Sequence, residues 1–156
     1  IKQEEKLEAA ELRAAKGLPP KPTKASLLDD VPSTLPAMNS ALKLQKKASK
    51  VGFDWNNPEC VLDKIREEID ELSEEIKSSN QVEISGELGD LLFAIVNLAR
   101  HLDVDPEIAL RTTNVKFRNR FAHVEKRLKD AGTSLDEANL TEMEALWIEA
   151  KNNPDR

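Results

Sequence analysis

Hydrophobic residues recur at helical spacing along most of the chain, and this pattern predicts a series of α-helices. A charged, alanine-rich helix over residues 1–16 is expected to lie in solvent, because it has few large apolar side chains. A proline-rich segment at 18–33 predicts a linker, and a second helix is expected from about Pro36 to Lys50. Gly52 follows this helix and is expected to end it.

A third helix is expected from Pro58 to Lys77, with proline at its first position, where the missing N–H has no helical partner to lose. Its large apolar residues are three and four positions apart and predict a buried seam along one side. The seam contains Leu62, Ile65, Ile69, Leu72 and Ile76. The short polar break that follows predicts an antiparallel hairpin with the next helix.

The most apolar run of the chain extends from about Val82 to Leu102 and predicts a largely buried helix. Leucine, isoleucine and valine side chains occupy most of its circumference. One narrow polar stripe remains, and it contains Glu83, Glu87, Asp90, Asn97 and His101. An ionised carboxylate on such a helix is costly without water, a basic partner or a metal ion. The acids of this stripe are therefore candidates for chemistry.

A long helix is expected next, with Asp105 as its N-cap and Pro106 in its first turn. It is expected to reach about Asp130, and Gly132 is expected to end it. Its predicted core face contains Leu110, Phe117, Phe121, Val124 and Leu128.

The C-terminal region contains two candidate helix starts. Ser134 with Glu137, and Thr141 with Glu144, both have the spacing of a capping box. They predict a short turn followed by a final helix that includes Trp147.

The composition favours an all-α fold, and the compact domain is expected to start near residue 33. The 156-residue chain has only 5 glycines, and its abundant Ala, Leu, Glu and Lys lose little side-chain freedom in helices. A formal net charge of −6 argues against a surface for nucleic acid or anionic membranes. No stretch approaches the roughly 20 apolar residues that span a bilayer, and the single cysteine, Cys60, cannot form an internal disulfide. We expect a cytoplasmic protein.

The spacing of the acids suggests a metal site between the third and fourth helices. Helical geometry places Glu68 and Glu71 on one stripe with Lys64, and a hairpin could bring them opposite Glu87 and Asp90. Four crowded carboxylates repel one another, and a divalent cation removes that conflict. Oxygen ligands favour a hard ion such as Mg²⁺ or Mn²⁺. The alternative is that the acids form salt bridges, with Lys64, Lys116 or Arg120 as partners.

Other metal and phosphate chemistries lack their motifs in this sequence. His101 and His123 have no glutamate three residues before them, as a ferritin-like site requires, so we interpret them as polar edge residues. No Gly-x-x-x-x-Gly-Lys phosphate loop is present, and the Gly-rich loop and strands of a Nudix-type hydrolase are missing too. Phosphate binding would have to come from side chains.

The long helix from Pro106 offers such side chains. A basic stripe lies beside its core face and contains Lys116, Arg120, His123 and Arg127. Spacing alone is equally compatible with a solvated face whose bases pair with nearby acids. Trp147 is expected to pack in a core or an interface, and stacking on a nucleobase is the alternative.

An acidic pattern and the five segments around it resemble one family, MazG, the all-α nucleoside triphosphate pyrophosphohydrolases. The family pattern Glu-Glu-x-x-Glu and Glu-x-x-Asp is present as "EEIDE" at 67–71 and "ELGD" at 87–90. The surrounding matches are "KLQKKASKVGFDW" (43–55), "VLDKIREEIDEL" (61–72), "GDLLFAIVNLARHL" (89–102), "DPEIALRTTNVKFRNRF" (105–121) and "EMEALWIEAK" (142–151). All segments occur in the family's order, which makes the resemblance highly specific.

The resemblance implies Mg²⁺-dependent hydrolysis of nucleoside triphosphates to monophosphate and pyrophosphate, with broad base tolerance. The metal ligands implied by position are Glu68, Glu71, Glu87 and Asp90. The implied nucleotide contacts are Lys64, Lys116, Arg120 and Trp147. A different class of function is a non-catalytic helical module that dimerises or binds a nucleotide for regulation.

The resemblance also implies a homodimer in which two chains complete a four-helix core. The chain looks like the C-terminal half of a two-domain MazG, with residues 1–34 as a connector, 35–156 as the catalytic domain, and the N-terminal MazG domain as a further partner. Two residues depart from the family pattern. Gly86 replaces a common acid and is expected to weaken its helix, and Asn119 replaces a common arginine and is expected to alter phosphate binding.

Overall fold

The described part of the chain, residues 2–20 and 25–153 of a computed structural model, contains α-helices and no strand. The helices are α1 (Lys2–Ala15), α2 (Ala37–Ser49), α3 (Pro58–Ser78), α4 (Gln81–His101), α5 (Pro106–Asp130) and α6 (Leu140–Asn152). This confirms the predicted all-α fold. In the described ranges, no helix is both long enough and apolar enough to cross a membrane.

Two structural units divide the chain, at Ile1–Asp54 and Trp55–Arg156. In the first, α1 is exposed on nearly every side, as its charged sequence predicts. Helix α2 starts one residue after the predicted Pro36, and Gly52 follows it in the left-handed region at φ 88°. The predicted division into a connector at 1–34 and a domain at 35–156 stays a prediction.

Helices α3 and α4 form an antiparallel hairpin because their connection is very short. Asn57 caps α3 by accepting a hydrogen bond from the Cys60 N–H at 2.9 Å. Ser79 ends α3 in a left-handed conformation, and Asn80 caps α4 at once by accepting from the Val82 N–H at 3.2 Å. A two-residue break leaves room only for reversal of the chain. Helix α4 continues through Gly86 without interruption, so the expected weakening does not break the helix.

The burial predicted for these two helices is wrong for about half of their apolar residues. Each helix presents an apolar stripe whose residues are between 37% and 58% exposed. We call these the outer stripes; they contain Leu62, Ile69 and Ile76 on α3, and Leu88, Leu92 and Ile95 on α4 with Leu102 at its C-cap. The buried contacts of the hairpin come instead from smaller residues such as Val61, Ala94 and Val96.

Helix α5 packs against α6 mainly through its second half. Asp105 caps α5 as predicted, accepting from the Ile108 N–H at 3.1 Å. The predicted core face is wrong for Leu110 and Phe117, which are about half exposed, and for Phe121, which is 36% exposed. Val124 and Leu128 are buried, and they lie next to His123 and Arg127, which contact Glu149 of α6.

Helix α6 begins at a different capping box from the predicted pair. Asn139 accepts from the Glu142 N–H at 2.9 Å, and Glu142 accepts from the Asn139 N–H at 3.1 Å. The predicted start at Thr141 is therefore wrong, because Asn139 satisfies the orphan N–H groups two residues earlier. The predicted box at Ser134 is a single turn, and Glu137 accepts from the Thr133 hydroxyl at 3.1 Å.

Replacing Asn139 by alanine is expected to cost about 1 kcal/mol of stability, because the cap oxygen is lost. In a chain of this size, that lowers the melting temperature by about 2–4 °C. Thermal unfolding followed by circular dichroism measures the shift. Asn139→Asp retains an acceptor and should melt near the wild type. A larger loss in Thr141→Ala than in Asn139→Ala would contradict the observed start.

Candidate metal centre

Three carboxylates converge where α3 and α4 face each other. Glu68 and Glu71 are one turn apart on α3, and Glu87 lies opposite them in the first part of α4. One oxygen from each lies within 4.8 Å of the other two. The i, i+3 spacing places the α3 acids on one side, and the hairpin brings the α4 acid to them. We call these residues the acid cluster.

Glu87 is the member of the acid cluster that has a buried oxygen without a hydrogen-bond partner in the described ranges. That oxygen is its Oε2 atom. Burial raises the pKa of Glu87 above its ordinary value, and the negative charges of Glu71 and Asp90 raise it further. A buried carboxylate oxygen among other carboxylates is a site where a cation is strongly favoured.

Lys64 already neutralises part of the cluster. Its Nζ lies 2.6 Å from Glu68 Oε1 and 3.0 Å from Glu67 Oε1. The hydrogen bond to Glu68 raises the pKa of Lys64, and the bond to Glu67 adds to this, so the lysine is charged. The salt-bridge alternative is thus correct for Glu68, whose side chain is only 6% exposed. A salt bridge does not account for Glu87, because its buried Oε2 atom has no partner among the described residues.

Asp90, the fourth predicted ligand, lies beside the acid cluster rather than within it. Together with Glu68 and Lys64 it lines a cavity of about 160 Å³ between α3 and α4. The rest of the lining is Trp55, Val61, Phe93, Ala94 and Asn97. We call this the hairpin cavity. Its lining therefore contains charged, aromatic and amide side chains.

The remaining predicted nucleotide contacts form a separate group on α5 and α6. The Arg120 guanidinium carbon lies 5.8 Å from the Trp147 ring centroid. The Phe117 ring centroid lies 5.1 Å from the Trp147 ring centroid. Lys116 is exposed one turn before Arg120. Trp147 lines an apolar cavity of about 230 Å³ that shares no residue with the hairpin cavity. Of these two cavities within the described residues, neither contains members of both groups.

The rest of the basic stripe pairs with an acid. His123 Nε2 lies 3.2 Å from Glu149 Oε1, and Arg127 Nε lies 3.1 Å from the same oxygen. These contacts join α5 to α6. The alternative of a solvated face whose bases pair with acids therefore describes Arg127, whereas His123 is paired but only 15% exposed.

Sequence reasoning missed three residues of the hairpin cavity: Trp55, Phe93 and Asn97. Trp55 lies in a loop, where helical periodicity carries no information. Asn97 belongs to the predicted polar stripe, yet it is only 2% exposed. The available signal was its position two turns after Asp90 on the same helix.

The residues of the acid cluster fit a divalent cation. They offer oxygen donors only, and one buried oxygen has no partner among the described residues. Burial raises the pKa of Glu87, and the neighbouring negative charges raise it further. Hard divalent ions prefer this donor set. The fold and the cluster together define an all-α protein with an acidic helical hairpin suited to cation binding.

Comparison with known families matches the part of the chain that contains this hairpin. Residues 56–125 match the MazG nucleotide pyrophosphohydrolase domain. The nucleoside triphosphate pyrophosphohydrolase of Escherichia coli K12 is 45% identical over 128 residues, which cover 81% of this chain and 49% of the relative.

Two further relatives extend the comparison. The nucleoside triphosphate pyrophosphohydrolase/pyrophosphatase MazG of Thermotoga maritima is 42% identical over 128 residues, covering 82% of this chain and 49% of the relative. The protein YabN of Bacillus subtilis is 43% identical over 135 residues, covering 86% of this chain and 28% of the relative. The chain thus spans about half the length of the pyrophosphohydrolases it matches, and less of YabN.

Proposed function

We propose that this chain hydrolyses nucleoside triphosphates to the monophosphate and pyrophosphate, with Mg²⁺ as its metal and broad base tolerance. The α–β phosphoanhydride bond breaks, and one water is consumed. The observation that carries the proposal is the acid cluster with its unpartnered buried Glu87 oxygen. The names of the relatives with 45% and 42% identity support the same reaction.

The proposed metal ligands are Glu68, Glu71, Glu87 and Asp90. A divalent cation at such a site supplies positive charge against phosphate oxygens and acidifies water. Lys64 lines the hairpin cavity beside the cluster, so its ammonium can bind a phosphate oxygen while it holds Glu68 in place.

The proposed contacts from α5 and α6 are Lys116, Arg120 and Trp147. Arg120 is held over the Trp147 ring, which orients its guanidinium group and favours a bidentate phosphate contact. Since these residues line no part of the hairpin cavity, we propose that they act on the site of a second copy or on the distal part of the nucleotide.

A homodimer is part of this proposal, because the outer stripes have heptad spacing. On α3, seven residues separate Leu62 from Ile69 and Ile69 from Ile76. On α4, the same spacing relates Leu88, Ile95 and Leu102. Such spacing suits packing against other helices. A second copy would bury both stripes and complete a four-helix core.

The N-terminal MazG domain of a longer chain is a further proposed partner. The pyrophosphohydrolase relatives are about twice as long as their matched regions, which cover 49% of each. This length leaves room for a second domain in those proteins.

Incubation with each nucleoside triphosphate and Mg²⁺, followed by ion-exchange chromatography of the products, tests the proposed reaction. Equal amounts of monophosphate and pyrophosphate are expected. Release of diphosphate and orthophosphate would overturn the assignment of the broken bond. Nucleotide binding by calorimetry without any turnover would favour the regulatory module instead.

Mg²⁺ is expected to raise the melting temperature of the wild-type chain. At about a hundredfold excess over its dissociation constant, a bound ion adds about 2.7 kcal/mol. For a chain of this size that corresponds to about 5–10 °C. In Glu87→Gln the shift should be largely lost, because a neutral amide replaces the carboxylate that most needs a cation.

Glu74→Gln is the matched control for this measurement, because Glu74 is an exposed acid paired with Lys77 outside the cluster. Its melting temperature should rise with Mg²⁺ as in the wild type. An equal rise in Glu87→Gln would remove Glu87 from the metal site.

A further inference from the structure

The hairpin cavity has a lining that the proposed hydrolysis of a phosphate bond leaves unexplained. Glu68 belongs both to the acid cluster and to the cavity lining, so the two are adjacent. Trp55, Phe93 and Asn97 contribute no charge. At about 160 Å³ the cavity is smaller than the roughly 300–1,000 Å³ that encloses a whole drug-sized ligand. It fits one flat part of a nucleotide.

Asn97 is a buried amide whose orientation is set by a neighbour. Its side-chain Oδ1 accepts hydrogen bonds from Arg100 Nε at 3.0 Å and from Arg100 Nη2 at 2.8 Å. The guanidinium group of arginine only donates, so it selects the orientation in which Asn97 directs its oxygen to Arg100. The amide N–H groups are then the part of Asn97 left for a ligand in the cavity.

Asn97 lies within reach of a nucleotide whose phosphates are held at the acid cluster. It lies seven residues after Asp90, which is about 10 Å along the helix axis. A base attached to those phosphates through its ribose could therefore reach Asn97. Trp55 and Phe93 line the same cavity, and aromatic rings bind bases by stacking.

We infer that the hairpin cavity binds the nucleobase, with Asn97 as a residue that ranks bases and Arg100 as its positioning residue. Asn97 donates to a keto oxygen on the base edge. A base with an exocyclic amino group at that position instead places donor against donor. UTP should therefore be preferred over CTP, which has the same size. The inference rests on the proposed function, because the base belongs to the nucleotide whose hydrolysis is proposed.

Steady-state kinetics with UTP and CTP tests the ranking. We expect kcat/KM to favour UTP by about tenfold, because a buried donor left without an acceptor is costly. Asn97→Asp keeps the contact to Arg100 but removes the N–H donors, so the preference should disappear or reverse. Asn152→Asp, at the exposed end of α6, is the matched control and should retain it.

Arg100→Lys tests the positioning role separately. Lysine cannot reproduce the two parallel donors of arginine, so Asn97 can present either its oxygen or its nitrogen to the base. The ratio of kcat/KM values for UTP and CTP should fall towards one. An unchanged ratio in both Asn97→Asp and Arg100→Lys would overturn the assignment.

Fluorescence locates the base without turnover, because the chain contains only 2 tryptophans. In Trp147→Phe, Trp55 is the sole reporter, and uridine, which has no phosphate for the acids to repel, is expected to quench it in the absence of metal. Quenching seen only in Trp55→Phe, where Trp147 reports, would place the base at α6 and overturn the inference.

These outcomes separate the two proposals. Quenching of Trp55 without hydrolysis of any triphosphate would reject the proposed reaction and support the base site. Hydrolysis whose UTP-to-CTP ratio is insensitive to Asn97→Asp would support the reaction and reject the base site.

Discussion

Glu71→Gln is expected to lower the rate of nucleoside triphosphate hydrolysis by at least about a hundredfold. Loss of one group that supports charge at a reaction centre typically costs roughly 10²–10³ in rate, and Glu71 contributes one of the three oxygens of the acid cluster. The side chain is exposed, and glutamine has nearly the same shape. The fold should therefore remain intact, as circular dichroism can verify. Product formation measured with saturating Mg²⁺ gives the rate.

Glu74→Gln is again the matched control, because it removes one charge from the same helix outside the cluster. Its rate should stay within about twofold of the wild type, since exposed ion pairs contribute little. If both variants lost activity equally, the loss would come from removing a negative charge from α3 and not from removing a member of the acid cluster. If Glu71→Gln remained active, the acid cluster would not be the reaction centre.

Leu92→Glu is expected to convert a homodimer into a monomer. Leu92 is 51% exposed on the outer stripe of α4, where the second copy is proposed to pack. A carboxylate buried there without a partner costs several kcal/mol, and about 2.8 kcal/mol corresponds to about a hundredfold in the dissociation constant. Sedimentation velocity over a range of concentrations measures this change.

Leu12→Glu is the control for general loss of apolar surface, because Leu12 is 59% exposed on α1. This variant should sediment as the wild type does. A wild-type chain that is monomeric at all concentrations, or a dimer that tolerates Leu92→Glu, would contradict the proposed interface.

Helix starts and the acid stripe were predictable because they depend on residues close together in sequence. Asp105 and Pro106 specify their own helix start through a local hydrogen bond and a fixed φ. The i, i+3 spacing of Glu68 and Glu71 places both acids on one side of α3 whatever surrounds them. The start of α6 failed only because Asn139 competes with Thr141 within the same few residues.

Burial was the part of the fold that periodicity could not decide. Ile69 and Leu92 have the spacing of core residues, and helical spacing specifies which side of a helix is apolar. It does not specify whether that side packs against the same chain or against another molecule. In the single chain, those stripes remain exposed.

The sequence by itself determined the all-α fold, the order of its helices and the acids that share a helix face. Only the tertiary structure decided that Glu87 Oε2 is buried and left without a partner among the described residues, and that Asn97 is buried while the outer stripes are not. The physical reason is that helix formation, and pairs such as Lys64 with Glu68, are governed by neighbours within one or two turns. Burial depends instead on which side chains the hairpin brings together across its two helices.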